Sequence, residues 1–201
     1  MGSSLSSIWP GGAGKKGSRV IMWGPWYSGK TTFLYNRLLV ECASGWDNIT
    51  PVSTIGFNVE SVTYGNQELT IWDVGGRDKF RPAWRQYFSD IDAIIYIVDA
   101  TETDRLDAAA STLEFLLVDL NGRHDRPSSA PVLVFANKQD LDGALSAEEV
   151  SKGLKLGEVR HRKWKVVESS ITQGYGISEG MKWLMVGDLA FLGSCMKLID
   201  V

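Results

Sequence analysis

The residues best suited to binding a ligand lie in a short glycine-containing segment between an apolar run and a helical pattern. Residues 24–31 read G-P-W-Y-S-G-K-T, after the apolar residues 20–23 and before a pattern typical of a helix. Backbone N–H groups near Gly29 can converge on phosphate oxygens, with the positive end of the helix dipole behind them. Lys30 would meet the β- and γ-phosphates as a point charge, and the Thr31 hydroxyl would bind Mg²⁺. The residues predicted to surround the phosphates are Gly24, Pro25, Trp26, Tyr27, Ser28, Gly29, Lys30, Thr31 and Thr32.

Two further polar segments follow predicted strands, where open α/β sheets bind ligands. In I-W-D-V-G-G, the Asp73 carboxylate can hold Mg²⁺, and the Gly76 N–H can approach a γ-phosphate. In N-K-Q-D, which starts at Asn137, the Asp140 carboxylate can accept hydrogen bonds from the N1–H and 2-amino groups of guanine. Adenine does not offer that pair of donors, and the stem of Lys138 can lie along the base. The segments together predict a guanine nucleotide with Mg²⁺.

Composition limits the classes of function. The chain has 201 residues, of which 44% are hydrophobic and 22% charged, as expected for one α/β domain with a sizeable core. A net charge of −3 provides no overall basic field, so nucleic-acid binding is not predicted. The two cysteines, Cys42 and Cys195, are far apart and lack metal-type spacing, which favours a cytoplasmic protein.

The order of apolar and polar segments predicts the fold. Residues 1–18 are rich in Gly and Ser and are interpreted as a mobile arm, followed by a single domain over residues 19–201. Six apolar runs suggest strands near residues 20–23, 57–64, 68–72, 93–98, 132–136 and 164–168. Only three residues separate the second and third runs, which favours an antiparallel hairpin, whereas helical patterns between most others favour parallel pairing.

Two helices are predicted in the second half of the chain. The sequence S-A-E-E from Ser146 is a capping box, and Gly157 is expected to follow the end of that helix. Residues 181–201 are rich in apolar side chains, but at most eight uncharged residues occur in a row, too few to span a bilayer. We interpret this stretch as a C-terminal helix packed on the domain. A peripheral membrane contact is the alternative.

The chain resembles the ADP-ribosylation factor (Arf) family of small GTPases over about residues 19–186. The resemblance is carried by T-I-G-F-N-V-E at 54–60, W-D-V-G-G at 72–76, N-K-Q-D at 137–140 and R-H-R-K-W at 160–164, together with D-K, R-P and W-R between 78 and 85. It implies a P-loop small GTPase fold, with a six-stranded, mostly parallel sheet containing one antiparallel strand and helices on both faces.

The resemblance also implies roles for individual residues. Thr54 corresponds to the switch threonine that coordinates Mg²⁺ only when GTP is bound. Phe57, Trp72 and Tyr87 match an aromatic cluster that exchange factors, GTPase-activating proteins and effectors contact. Ile171 corresponds to a residue whose backbone N–H contacts guanine O6, although its side chain is bulkier than is usual in the family. The protein is expected to be a monomer.

The N-terminus predicts a lipid anchor. M-G-S-S-L-S fits the N-myristoylation pattern, in which Gly2 is acylated after removal of Met1. One acyl chain binds membranes only marginally, so a second contribution is needed. The family supplies that contribution as an amphipathic helix that is released in the GTP state. A peripheral location on endomembranes, with Golgi favoured, and a role in vesicle-mediated or protein transport follow from this resemblance.

Two departures from the family pattern concern hydrolysis. Arg77 replaces the Gln that orients the attacking water, and its guanidinium has no acceptor. Trp26 adds bulk near the expected γ-phosphate. The catalytic candidates are therefore Lys30 and Arg77, and slow GTP hydrolysis by a membrane-associated switch is the leading interpretation. A non-hydrolysing, GTP-bound scaffold is the alternative from another class, and residues 137–140 argue against an ATP-using enzyme.

Overall fold

The six apolar runs form six strands of one sheet in the computed structural model, which describes residues 17–39, 54, 56–75, 91–121, 129–160 and 162–187. The strands are β1 (Ser18–Trp23), β2 (Phe57–Tyr64), β3 (Gln67–Val74), β4 (Ala93–Asp99), β5 (Val132–Asn137) and β6 (Trp164–Ser169). Their order in the sheet is β2-β3-β1-β4-β5-β6. The predicted six-stranded sheet is confirmed.

Only one strand pair in the described sheet is antiparallel. β2 and β3 form the predicted hairpin, in which Tyr64 pairs with Gln67 and Phe57 pairs with Val74. Gly65 lies in the turn with a φ of 59°, a left-handed conformation that glycine adopts without strain. The other neighbours are parallel. The carboxyl ends of β1, β3, β4, β5 and β6 therefore lie at the same edge, where ligands of such sheets bind.

Helical segments connect most of the strands. The first, α1 (Lys30–Phe33), continues as a π-helical segment over Leu34–Leu38. A 3-10 turn (Thr103–Arg105) precedes α2 (Leu106–Asn121), and α3 (Ala147–Gly153) is followed by a second 3-10 turn (Leu156–Glu158). The last described helix is α4 (Ile177–Gly187).

The central strands of the sheet, β1, β4 and β5, are buried on both faces. Successive side chains of β1 alternate between two apolar clusters, with Ile21 in one and Met22 in the other. Residues of α2 and α3 contribute to the first cluster, and residues of α1 and α4 contribute to the second. This arrangement confirms the prediction of helices on both faces and explains why the central strands are apolar throughout rather than alternating.

The predicted helix boundaries are confirmed in part. Ser146 caps α3, and the reciprocal hydrogen bonds with Glu149 are those of a capping box. The helix ends at Gly153 rather than near Gly157, because Lys155 adopts a left-handed φ of 54°. Met181 and Leu184 of α4 are buried against the sheet, and residues 181–187 are the described part of the stretch predicted as a C-terminal helix. The rest of that predicted helix lies outside the described residues.

Within the described ranges, no helix has the length and apolar character needed to cross a membrane. The predicted arm also falls almost entirely outside them.

Candidate functional site

The loop between β1 and α1 contains two glycines at which a larger residue would be strained and crowded. A Cβ on Gly24 would lie 2.0 Å from the Ile97 carbonyl oxygen, and one on Gly29 would lie 2.6 Å from Nδ2 of Asn137. Both glycines have positive φ, 146° and 103°. The close contacts bring this phosphate loop, residues 24–31, against the ends of β4 and β5. Both glycines belong to the segment that the sequence pattern predicts to surround phosphates.

Lys30 folds back over the phosphate loop. Its Nζ donates to the carbonyl oxygens of Gly24 and Pro25, at 3.0 and 2.6 Å. Burial lowers the pKa of Lys30 from 10.5 to about 8, although the negative charge of Asp73 opposes that shift. A buried ammonium whose described hydrogen bonds go to neutral partners is suited to pairing with an anion.

Thr31, Thr54 and Asp73 meet at the start of α1. The Thr31 hydroxyl donates to Asp73 Oδ2 at 3.0 Å and is hydrogen bonded to the Thr54 hydroxyl at 3.0 Å. Thr54 Oγ1 lies 3.4 Å from the same carboxylate oxygen. The structure therefore brings together the three residues that were predicted separately as magnesium ligands. A carboxylate and two hydroxyl groups supply oxygen ligands, which Mg²⁺ prefers, so the chemistry of this cluster fits that ion.

The Asp73 carboxylate lies in an unusual electrostatic environment. It is buried, and this burial raises its pKa above the ordinary value, despite the opposing hydrogen bond from Thr31, the charge of Lys30 and the hydrogen bond from Thr54. Its Oδ1 atom is buried and has no hydrogen-bond partner in the described part of the chain. An additional cation beside this oxygen would remove the cost of the buried charge.

The described residues contain no group of three or more His, Cys, Asp and Glu side chains that could hold a metal by themselves. A magnesium site with few protein carboxylates is typical of nucleotide-binding proteins, because substrate phosphates and water complete the coordination.

Asn137 connects the phosphate loop to a second loop. Its Nδ2 donates to the Ser28 carbonyl oxygen at 2.8 Å, and its Oδ1 accepts the Ile171 N–H at 2.9 Å. We call residues 170–175 the base loop. The Ile171 N–H, which is predicted to contact guanine O6, donates to Asn137 Oδ1 in the structure. A contact with the base would require this hydrogen bond to be shared or exchanged.

Lys138 is held by Asp99, a residue that is not among the predicted site residues. Asp99, at the end of β4, forms an ion pair with Lys138, with Oδ2 and Nζ 2.5 Å apart. Asp99 also accepts hydrogen bonds from the backbone and hydroxyl of Thr101. The sequence feature that could have indicated Asp99 is its position at the carboxyl end of a strand. Asp140 is exposed and lies beside Lys138, at the same sheet edge.

Two aromatic residues cover part of the phosphate loop. Trp26 is half-buried, Tyr27 is 66% exposed, and their ring centroids are 5.5 Å apart. Tyr27 has a φ of 58°, which costs a bulky residue about 1–3 kcal/mol. Thr32 is half-buried on α1. Trp26 and Tyr27 both lie within the predicted phosphate-binding loop.

The aromatic residues of the hairpin are also adjacent. Phe57 and Trp72 are diagonal neighbours on β2 and β3, with ring centroids 5.2 Å apart. Four predicted functional residues lie outside the described residues: Gly2, Gly76, Arg77 and Tyr87.

The sheet order and the phosphate loop define a P-loop nucleotide-binding domain of the small GTPase class. The sequence model of the ADP-ribosylation factor family matches residues 5–187. ADP-ribosylation factor-like protein 1 of Saccharomyces cerevisiae is 42% identical over 183 residues, which cover 91% of this chain and 92% of the relative. The chain belongs to the ADP-ribosylation factor family of small GTPases.

A solved structure gives the same assignment. The Arl6 BBS3 small GTPase from Trypanosoma brucei, determined with the bound nucleotide analogue GppNp, is similar with a TM-score of 0.72 and 33% identity. The match covers 84% of this chain and 95% of that one. It confirms the predicted small GTPase fold.

Proposed function

We propose that this protein is a membrane-associated GTP/GDP switch that acts in vesicle-mediated or intracellular protein transport and hydrolyses GTP slowly. The observation that carries the nucleotide-binding part is the meeting of Thr31, Thr54 and Asp73 beside the buried Lys30 ammonium. These groups provide one positive charge for phosphate oxygens and three oxygen ligands for a divalent cation. Family membership supports the same activity.

Mg²⁺ would be held by Thr31, Thr54 and Asp73, and when bound it would neutralise the charge of the β- and γ-phosphates. Lys30 would pair with those phosphates, and the N–H groups of the phosphate loop would donate to their oxygens. By similarity to the family, Thr54 would bind Mg²⁺ only when GTP is present, so its contact would depend on which nucleotide is bound. This dependence is the basis of the proposed switch.

Guanine selection would depend on Asp140, which can accept two hydrogen bonds from the base. Lys138, held by Asp99, would present its alkyl stem to the ring. Asn137 would keep the base loop and the phosphate loop at a fixed separation. Gly76, in the segment after Asp73, is proposed to approach the γ-phosphate.

Slow hydrolysis is proposed from Arg77 and Trp26. The Arg77 guanidinium cannot accept a hydrogen bond from the attacking water, whereas the carbonyl oxygen of a Gln side chain can. Trp26 is half-buried on the phosphate loop, where it would restrict the entry of an arginine from an activating protein. These observations also favour the second candidate function, a GTP-bound scaffold that does not hydrolyse its nucleotide.

Membrane attachment is proposed through myristoylated Gly2 within an arm of residues 1–18, with residues 19–201 as one GTP-binding domain. The location proposed from the family is cytoplasmic and peripheral on endomembranes, with the Golgi favoured. Exchange factors, activating proteins and effectors would contact the surface around Phe57, Trp72 and Tyr87. The rings of Phe57 and Trp72 are adjacent, but Trp72 is only 7% exposed, so the half-buried Phe57 would supply the accessible part of this surface. The protein is proposed to act as a monomer without nucleic-acid binding.

The direct test is to identify the nucleotide that copurifies with the protein, then to titrate the nucleotide-free protein with GTP, GDP and ATP in the presence of Mg²⁺. Copurified GDP would support the cycling switch, and copurified GTP would support the scaffold. Equal affinities for ATP and GTP would contradict the proposal, because Asp140 should discriminate between the two bases.

A further inference from the structure

Arg37, on the helix that follows the phosphate loop, contacts the base loop. Arg37 lies in the π-helical segment that continues α1. Its Nε donates to the Ile171 carbonyl oxygen at 2.5 Å, and a terminal guanidinium nitrogen donates to the Thr172 carbonyl oxygen. These contacts join residues 134 and 135 positions apart in the chain. The predicted nucleotide contacts did not include Arg37.

Arg37 and Asn137 form hydrogen bonds with the two backbone polar groups of Ile171. Asn137 Oδ1 accepts the Ile171 N–H, and Arg37 donates to the Ile171 carbonyl oxygen. The Ile171 side chain is buried, with 1% exposure. The peptide groups before and after this buried side chain are therefore both held by hydrogen bonds. A change at Arg37 would release one side of this arrangement and leave the other intact.

The guanidinium also packs closely against the base loop. Gly174 has a φ of +81°, and a Cβ there would lie 3.3 Å from the guanidinium carbon of Arg37. Within the described part of the chain, the hydrogen bonds of Arg37 go to backbone carbonyl oxygens of this loop. The planar fork of arginine can bind two such oxygens at once, which the point charge of lysine cannot do in the same way.

The helix that carries Arg37 also carries residues of the proposed phosphate and magnesium site. Arg37 lies within the π-helical turn over Leu34–Leu38. The same helix begins at Lys30 and Thr31, beside the proposed phosphate and magnesium positions. One short helix thus contacts both ends of the proposed nucleotide site.

We propose that Arg37 is a positioning residue that fixes the base loop and thereby sets guanine selectivity and the lifetime of the bound nucleotide. This inference rests on the proposed binding of guanine nucleotides. A loop that is already ordered loses less conformational entropy when it binds the base, and such preorganisation lengthens residence time. Without Arg37, the base loop would have to be ordered by the nucleotide itself.

The test compares Arg37→Gln and Arg37→Lys with wild type and with Arg105→Gln as the matched control. Arg105 is an exposed arginine whose guanidinium pairs with Glu102 in the 3-10 turn before α2. The GDP dissociation rate is measured with a fluorescent GDP analogue, and the ratio of GDP to ADP affinity is measured by competition. Arg37→Gln is expected to raise the dissociation rate about tenfold and to lower the affinity ratio by a similar factor. Arg37→Lys should fall between it and wild type, and Arg105→Gln should match wild type.

Amide hydrogen exchange of the GDP-bound proteins provides a second readout. In Arg37→Gln, exchange in residues 170–175 should accelerate, whereas β4 and β5 should retain their protection. A uniform increase in exchange, with GDP and ADP affinities lowered equally, would indicate a general structural role and overturn the inference.

The two proposals fail in distinguishable ways. If the wild-type protein does not prefer GDP to ADP, the proposed function is wrong. If the wild-type protein prefers GDP and Arg37→Gln leaves both the dissociation rate and the affinity ratio unchanged, the proposed function stands and the role of Arg37 is rejected.

Discussion

The Thr31 hydroxyl donates a hydrogen bond to the Asp73 carboxylate over 3.0 Å, which joins the start of α1 to the end of β3. These residues are 42 positions apart and meet because β1 and β3 are parallel neighbours, with Met22 paired to Asp73. The second carboxylate oxygen, Oδ1, is buried without a partner in the described part of the chain. This relationship makes the Asp73 carboxylate the most direct point at which to test the magnesium site.

Asp73→Asn should weaken the Mg²⁺ dependence of nucleotide retention. The amide lacks the negative charge that a divalent cation requires, so the variant should need at least about tenfold more Mg²⁺ to slow GDP release to the same extent. The measurement is the GDP dissociation rate across a Mg²⁺ titration. Asp104→Asn, an exposed change in the 3-10 turn before α2, is the control. Identical titration curves for Asp73→Asn and wild type would refute a metal role for Asp73.

The Asp99–Lys138 pair should contribute to stability at neutral pH. Asp99→Asn should lower the free energy of unfolding by about 1–2 kcal/mol, because it removes one charge of a pair in which Asp99 is nearly buried. A double-mutant cycle with Lys138→Met, followed by urea unfolding, isolates the coupling between the two side chains. Additive losses at pH 7 would show that the pair makes no contribution.

The contribution of this pair should also depend on pH. Although burial acts to raise it, the pKa of Asp99 lies below its ordinary value because of the hydrogen bonds from Lys138 and Thr101 and the charge of Lys138. The stabilisation is therefore present above the pKa of the unfolded carboxyl group, about 3.8, and is lost as the pH falls through the lower pKa of the folded state. The difference between wild type and Asp99→Asn should persist at pH 5 and decrease only in more acidic solution.

Asp140→Asn should reduce guanine affinity and create affinity for a different base. The amide would place an N–H donor against a guanine N–H, a mismatch expected to cost about 1–3 kcal/mol. Xanthine carries a 2-oxo acceptor where guanine has its amino group, so the variant should bind xanthosine nucleotides better than wild type does. Competition titrations with GDP and XDP measure both effects. Loss of GDP binding without a gain for XDP would point to unfolding of the loop rather than to base recognition.

Much of the fold could be predicted because its signals are local. The apolar runs, the short connection around Gly65 and the capping box of Ser146 each depend on neighbouring residues, and the structure confirms all three. The phosphate loop was also a local signal. The meeting of Thr31 with Asp73 was predicted indirectly, because the carboxyl ends of parallel strands share one edge.

The contacts between distant segments could not be predicted in the same way. Asp99 follows an apolar strand in a manner common to many α/β proteins, and nothing nearby in the sequence indicates its partner Lys138. Arg37 lies in a π-helical turn that departs from the ideal helical period, so periodicity in the sequence does not predict that Arg37 contacts the base loop. The end of α3 was misplaced because the left-handed conformation of Lys155 has no glycine to mark it.

Gly2→Ala should release the protein from membranes. The change removes the only N-terminal site suited to myristoylation, and the few basic residues of the arm should not hold the protein on a bilayer at physiological salt. Membrane and cytosolic fractions of cells that express each form provide the measurement. Ser3→Ala, which keeps the acylation site, is the matched control. If Gly2→Ala still pellets with membranes, the apolar stretch of residues 181–201 becomes the better candidate anchor.

The hydrolysis step depends on how Arg77 acts, and Arg77→Gln should accelerate it. Described residues fix the start of the segment that carries Arg77: the Gly75 N–H donates to the Gly56 carbonyl oxygen at 2.8 Å, and a Cβ on Gly75 would lie 2.5 Å from the Thr54 carbonyl oxygen. This segment therefore begins beside the proposed γ-phosphate and magnesium positions. A Gln side chain there can both donate to and accept from the attacking water, whereas Arg can only donate.

Single-turnover GTP hydrolysis by wild type, Arg77→Gln, Trp26→Ala and the double variant tests this account. Unaided switches of this class hydrolyse GTP at about 10⁻⁴ to 10⁻³ s⁻¹, and stabilising arginines raise that rate by roughly 10³ to 10⁵. We expect wild type to lie below that unaided range and Arg77→Gln to enter it, with a further increase in the double variant if Trp26 restricts the same space. A large fall in rate in Arg77→Gln would instead show that Arg77 stabilises the transition state, and the protein would then be a GTPase that supplies its own arginine.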